Sequence, residues 1–372
     1  MMKQQIPEER ERYPSLPAML RKYDKYGRKD AFTGTKKEEF LAWQGRSRRI
    51  LRELLGLGKM EYCDLCPATK SIISLDMRQD FDRFAVPAGI RREKTVIQTE
   101  PGVYLPFYLL IPQEAGKDTP VFICPPGHGG NGKSSVAGER EKEEIRAQIV
   151  RYNYDYGLRL AAMGLVTVCP DPRGFGERRE EKSFAGDQAE DLLSCDCMQL
   201  AHMGEPLGIS VPGMQVWDLM RLIDYLQDRN EWNIDQLVCF GFSGGGMQTL
   251  YAAALDERIH SAFISGYMYG FKDSLMALNE NCSCNYVPHM MGHFDMGDIA
   301  SLICPRTLII QSCSEDRLNG PRGMENVLEQ VDIIARNYSI AKAGQKIKHD
   351  ICGGPHHFSA ERLTEAVDML LA

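Results

Sequence analysis

The stretch Gly241-Phe-Ser-Gly-Gly-Gly246 decides how the rest of the chain is read. An apolar run, Gln236-Leu-Val-Cys-Phe240, precedes it, and a helix-like run, Met247-Gln-Thr-Leu-Tyr-Ala-Ala-Ala-Leu255, follows. One serine among four glycines thus stands where a strand hands over to a helix. Glycines two residues before and two after Ser243 suit a sharp strand-turn-helix corner, in which a side chain at either place would collide. The plain alternative is a glycine-rich turn with no chemistry. If Ser243 is a nucleophile, the chain must also supply a base in contact with it and an acid to orient that base, because a serine hydroxyl is weak near neutral pH.

Both groups lie downstream. Thr307-Leu-Ile-Ile-Gln-Ser-Cys-Ser-Glu-Asp316 reads as a strand ending in two carboxylates, of which Asp316 is favoured over Glu315. Lys346-Ile-Lys-His-Asp-Ile-Cys-Gly-Gly-Pro-His-His-Phe358 reads as a strand, a glycine turn and two adjacent histidines. Only one of these can face the serine, and His356 is favoured over His357. His349, inside the strand, is expected to be packed. A tetrahedral intermediate also needs donors for its oxyanion. The backbone N–H of Gly244 is one candidate. The second is expected from the loop Pro125-Pro-Gly-His-Gly-Gly-Asn-Gly132, at the N–H of His128. Gly127–Ser134 also matches the phosphate-cradle string G-x-x-x-x-G-K-S. The context opposes that reading: Ser135-Val-Ala-Gly138 starts no apolar helix, and no strand ending in a magnesium-binding Asp accompanies it.

Around these motifs, strand-like and helix-like runs alternate. Strands are expected at Val121–Cys124, Val166–Cys169, Leu237–Phe242, Ala262–Ser265, Thr307–Gln311 and Lys346–Ile351. Helices are expected at Glu141–Met163, Met214–Gln227, Gly246–Leu255, Arg322–Asn337 and Ala360–Leu371. Such alternation describes a mainly parallel sheet covered by helices on both faces. Lys94–Thr99 and Val103–Ile111 add a hairpin at its edge. Residues 1–90 read as a helical N-terminal extension and 91–372 as the catalytic domain. Within the extension, Leu16–Tyr23 and Lys37–Leu55 are helical, Gly56 stops the second helix, and 61–85 are irregular. Two long loops, 174–213 and 267–300, have the length of segments that shape a site or cover it.

The succession of the glycine-rich loop, Asp171-Pro-Arg-Gly-Phe-Gly-Glu177, Val216-Trp-Asp, Ile223-Asp-Tyr-Leu226, Gly-Phe-Ser-Gly-Gly, Ser-Glu-Asp and His-His-Phe resembles the α/β-hydrolase superfamily. The likeness spans about residues 90–372. It is nearest to acetyl xylan esterases and dienelactone-hydrolase-like esterases, including the cephalosporin-deacetylase type. Carried over, it implies Ser243 as nucleophile, Asp316 as acid and His356 as base. It further implies a short acyl group, acetyl above all, on a carbohydrate or similar polyol. Dienelactone hydrolases use cysteine, so the serine favours ester cleavage. The usual His-Gly of the oxyanion loop is Pro126-Gly127 in this chain. An oligopeptidase-type hydrolase and a non-catalytic hydrolase-fold binding protein are the competing readings.

Composition narrows the partners. The chain has 372 residues, 43% hydrophobic and 26% charged, with a net charge of −7. No basic stripe offsets that balance, so no nucleic-acid partner is expected. The N-terminus has no apolar core and no apolar run nears membrane-spanning length, so a cytoplasmic protein without membrane association is expected. The expected partner is a small-molecule ester, with a homo-oligomer open. Neither a cofactor nor a metal is expected. The twelve cysteines are read as reduced thiols. The close pairs Cys63/Cys66, Cys195/Cys197 and Cys282/Cys284 lack a second pair at finger-like spacing, which argues against zinc. Arg173 is expected to brace its loop. Trp217 and Asp218 are expected to head a packed helix.

Overall fold

Residue alternation along the strands divides the apolar core in two. The computed structural model describes residues 12–75, 89–181 and 192–372. Among these, nine strands form one sheet: β1 (Ala68–Leu75), β2 (Ile90–Glu100), β3 (Val103–Ile111), β4 (Pro120–Ile123), β5 (Val166–Pro170), β6 (Asn233–Phe242), β7 (Ser261–Ser265), β8 (Thr307–Cys313) and β9 (Ile347–Cys352). They lie in the order β1-β2-β3-β5-β4-β6-β7-β8-β9. The β1–β2, β2–β3 and β3–β5 ladders are antiparallel, and those from β5 through β4 to β9 are parallel. The expected mainly parallel sheet forms, but the β2–β3 hairpin, expected at its edge, lies one strand in, because β1 pairs outside β2.

Val121, Ile123, Leu237, Cys239, Ala262, Ile264, Leu308 and Ile310 face one layer, together with the helices Lys37–Leu55, Val211–Arg229 and Gly244–Leu255. Phe122, Val238, Phe240, Phe263 and Ile309 face the other, with Glu143–Tyr152, Tyr156–Ala162 and Leu363–Leu371. Successive strand residues point to opposite faces, so near-continuous apolar strands feed both layers. Phe240 and Phe263 stack at 4.0 Å between neighbouring strands. Each such side chain contributes about 1.5–3 kcal/mol by leaving water.

Two elements differ from expectation. Ala68–Leu75, read as irregular, is strand β1. Its side chains are half-buried or exposed throughout, so no one-sided alternation marks it. The single helix expected over Glu141–Met163 is two, broken at Asn153, whose φ of 56° is left-handed. The break matters, because it turns Tyr154 inward to donate to the His128 carbonyl at 2.5 Å. In the N-terminal part, Phe40, Trp43, Leu51 and Leu55 are buried in the first layer. Gly56 closes that helix at φ 77°. Arg28 makes a two-pronged contact with Asp298, and the Tyr23 hydroxyl donates to Asp295.

The loop after β5 is held by charge. Arg173 donates to Asp218 at 3.1 and 3.0 Å and pairs with Glu100, while Arg178 reaches the same Asp218 at 2.6 Å. Thr99 also donates to Asp218. Burial raises the carboxyl of Asp218, but the two guanidinium groups outweigh it and bring the pKa from 3.8 down to about 2. Because the folded value lies below the unfolded one, this stabilisation is complete above about pH 4 and lost as pH falls toward 2. Asp218→Asn leaves two buried cations short of their partner and is expected to cost about 3–5 kcal/mol near neutral pH. Urea unfolding at several pH values checks both points: the gap between the proteins must narrow below pH 4.

Candidate active site

Ser243 stands at the end of β6 with φ 57° and ψ −122°, a conformation that non-glycine residues rarely adopt. Its N–H donates to the Ser265 carbonyl at 2.8 Å, which ties the corner to β7. A Cβ at position 241 would lie 2.1 Å from the Gly245 carbonyl oxygen, and one at 245 would lie 2.0 Å from that of Pro125. Both obstacles are backbone, so neither can swing away. Strain at a non-glycine residue persists where its surroundings over-determine it, and such sites cluster at functional positions. Gly245→Ala is expected to destabilise the protein by about 1–3 kcal/mol, an overpacking effect. Thermal unfolding beside Gly164→Ala, where open space surrounds a left-handed loop glycine, separates that collision from simple backbone strain.

The other expected residues converge on the same cavity. Asp316 follows β8, and its carboxylate is buried. One oxygen accepts from the Leu318 N–H at 2.9 Å, and the other lies 2.5 Å from His356 Nδ1. Glu315, the competing acid, is exposed. The His356 ring packs on Phe242 at 4.6 Å between centroids. His357 turns elsewhere, with Nδ1 at 2.7 Å from the Pro355 carbonyl and 3.5 Å from Cys313 Sγ. His349 lies within β9 against the Ser312 hydroxyl. Of the two adjacent histidines, then, His356 is the one that meets the acid.

Ser243, Gly244, His128 and His356 line a cavity of about 370 Å³. Gly244 is the first residue of its helix, so its N–H belongs to the group left without intrahelical partners. Gly127 lies so close that a Cβ there would meet Ser243 Cβ at 3.0 Å, which sets the His128 backbone beside the serine. Four tyrosines, 152, 154, 267 and 269, wall the cavity, with Cys195, Cys282, Asn281, Asn285 and Glu280 around it. Sequence reading did not place these residues, because they come from the two long loops and from the helix break at Asn153.

Lys133 of the phosphate-cradle string is buried and spoken for. Its ammonium lies 2.5 Å from Asp171 and 2.5 Å from Glu177, and the helix behind it is one turn, Lys133–Val136. The cysteine pairs give a different result from their spacing in sequence. Cys195/Cys197 and Cys282/Cys284 meet around the His128 ring, while Cys63 lies by the Gln98 carbonyl on β2. Among the described residues no helix is long and apolar enough to cross a membrane.

Comparison with known proteins places the chain by sequence and by fold. YtaP of Bacillus subtilis (strain 168), which bears the name of a hydrolase, is 26% identical over 234 residues, covering 62% of this chain and 71% of that protein. A Bacteroides fragilis protein named as an acetyl xylan esterase superposes with a TM-score of 0.72 at 19% identity, over 93% of this chain and 84% of its own. A glucuronoyl esterase from Solibacter usitatus does so at 0.62 and 16% identity, over 93% and 96%. These two likenesses establish the fold. The Abhydrolase family profile matches residues 15–351, and the chain belongs to that family.

Proposed function

We propose that the protein is a serine esterase that removes short acyl groups, acetyl above all, from a carbohydrate or similar polyol. The carrying observation is the 2.5 Å contact between His356 Nδ1 and Asp316 in the cavity that also holds the strained Ser243. His356 Nε2 takes the proton from Ser243 Oγ as that oxygen attacks the ester carbonyl. Asp316 keeps the other ring nitrogen protonated and steadies the imidazolium that forms. The N–H groups of Gly244 and His128 receive the oxyanion. His356 then returns the proton to the departing alcohol, and water, deprotonated by the same ring, cleaves the acyl-enzyme. All of these residues lie within 91–372, while β1 (Ala68–Leu75) joins the preceding part of the chain to the same sheet.

The cavity's lining supports a neutral, hydroxyl-rich substrate. Tyrosine faces and amide groups suit a sugar ring, whereas among the described residues no lysine or arginine lines the site, and its carboxylate, Glu280, is paired with Arg317. A carboxylate on the acyl group would find no lining cation among the described residues, since Arg317 nearby is already paired with Glu280. Relatives of the same fold that are named as acetyl xylan and glucuronoyl esterases lend the carbohydrate ester its place in this reading. The test compares acetylated xylo-oligosaccharides, p-nitrophenyl acetate and p-nitrophenyl succinate. Acetyl esters are expected to exceed the succinyl ester at least tenfold in kcat/KM, about 1.4 kcal/mol of discrimination. Faster cleavage of aminoacyl-nitroanilides would install the peptidase reading instead. Inertness toward a fluorophosphonate probe would install the binding-protein reading.

A further inference from the structure

The side chain of His128 has no part in the ester chemistry, yet it sits, half-buried, among sulfur atoms. Cys197 Sγ lies 3.7 Å from its Nε2 and Cys284 Sγ 3.4 Å from the same nitrogen. Cys195 and Cys282 lie 3.9 Å apart, sulfur to sulfur. The ligand atoms of His128, Cys195, Cys197 and Cys282 all fall within 4.8 Å of one another. A tetrahedral zinc ion with Zn–S near 2.3 Å and Zn–N near 2.05 Å sets its ligands about 3.8 Å apart for two sulfurs and about 3.6 Å for sulfur and nitrogen. The two close contacts within this set, 3.9 and 3.7 Å, match those edges. Van der Waals packing of unrelated thiols does not require such convergence from three separate segments.

We propose that His128, Cys195, Cys197 and Cys282 hold one zinc ion. The donor set is soft, three sulfurs and an imidazole, which selects zinc over magnesium or calcium. Binding displaces the three thiol protons and leaves three thiolates on the ion. With four protein ligands the ion has no open position, so its role is structural. Cys284 packs beside the set and receives a donated N–H from Asn285 Nδ2, while Asn285 is itself fixed by the Tyr267 hydroxyl. Such outer contacts orient a metal shell.

Placement gives the ion a purpose. Cys195 and Cys197 belong to one long loop and Cys282 to the other, and both Cys195 and Cys282 line the cavity that holds Ser243. His128 carries the backbone N–H proposed for the oxyanion, and a Cβ at Gly244 would meet its ring at 2.8 Å. One ion would therefore clip both long loops to the oxyanion loop and set the width of the mouth.

The full-length protein, produced with zinc in the medium and purified without chelator, is expected to hold about one zinc per chain by plasma mass spectrometry. Cys195→Ser/Cys282→Ser is expected to lose at least about tenfold of that content. Cys352→Ser, from a separate cluster of Cys313, Cys352 and His357, is expected to keep it, and so is Cys284→Ser. If the double variant does not fold, titrating the wild type with a mercurial thiol reagent must release the zinc to a colorimetric indicator as the thiols react. X-ray absorption at the zinc edge is expected to show three sulfurs and one nitrogen. A wild type with no bound metal, a Cys195–Cys282 disulfide in fresh protein, or zinc retained by the double variant overturns the site. Zinc content lost in Cys284→Ser overturns the ligand set. Each readout is of metal, so failure here is distinct from failure of the esterase reading.

Discussion

Ser243→Ala is expected to lower kcat on p-nitrophenyl acetate by about five to six powers of ten, with Tm little changed. The size follows from what the hydroxyl does. Without Oγ there is no acyl-enzyme, and the remaining route is attack by water at a site whose oxyanion donors are intact. Such sites retain about 10³–10⁴ over the reaction in water, so the variant should stay measurably above background. Stability is expected to hold because the corner's conformation is fixed by the Ser243 N–H to Ser265 bond and by the close approach of Gly241, Gly245 and Pro125, none of which uses the hydroxyl. A burst of p-nitrophenol in the wild type, absent in the variant, would identify the acyl-enzyme directly. Equal rates in the two proteins would leave the glycines as a turn and no more.

The corner was legible in the sequence because its constraint is local. Glycine at 241 and 245 answers to backbone atoms of the turn and of the adjoining loop, and few residue choices satisfy that geometry. Asp316 and His356 were legible for a related reason: each follows a strand, and in a parallel sheet the ends of such strands gather at one edge. The two sets of adjacent candidates could not be separated by pattern. Burial separates Asp316 from Glu315, and the direction of the ring separates His356 from His357.

What escaped the sequence depends on tertiary placement. Strand β1 is exposed on both sides, so hydrophobicity does not mark it. Arg173 and Asp218 were read as two separate features, a loop brace and a helix head, though they form one buried charge network. The cysteines are the sharpest case. Neither Cys-x-Cys pair alone completes a metal site, and spacing along the chain gives no hint that the two loops meet. His128 drew notice for its backbone, while its side chain lies at the convergence of the sulfurs.

Asp316→Asn is expected to reduce kcat by about four powers of ten while leaving KM within a fewfold. The argument rests on both oxygens of the carboxylate. One accepts from the Leu318 N–H and the other from His356 Nδ1. An asparagine must place its NH2 on one side. Against Leu318 it would set two donors face to face in a buried place, so the amide nitrogen is driven toward His356. There it donates to Nδ1, which must then carry the lone pair, and the ring's proton moves to Nε2. In the proposed mechanism that nitrogen takes the serine's proton, and once protonated it cannot. The geometry survives while the tautomer is wrong, so substrate still binds and chemistry stalls. Glu315→Gln, at an exposed position, is expected to stay within about twofold, since surface charges outside a network contribute little. Steady-state kinetics of both variants decide the assignment: full activity in Asp316→Asn with loss in Glu315→Gln would move the acid to Glu315, against the burial of Asp316.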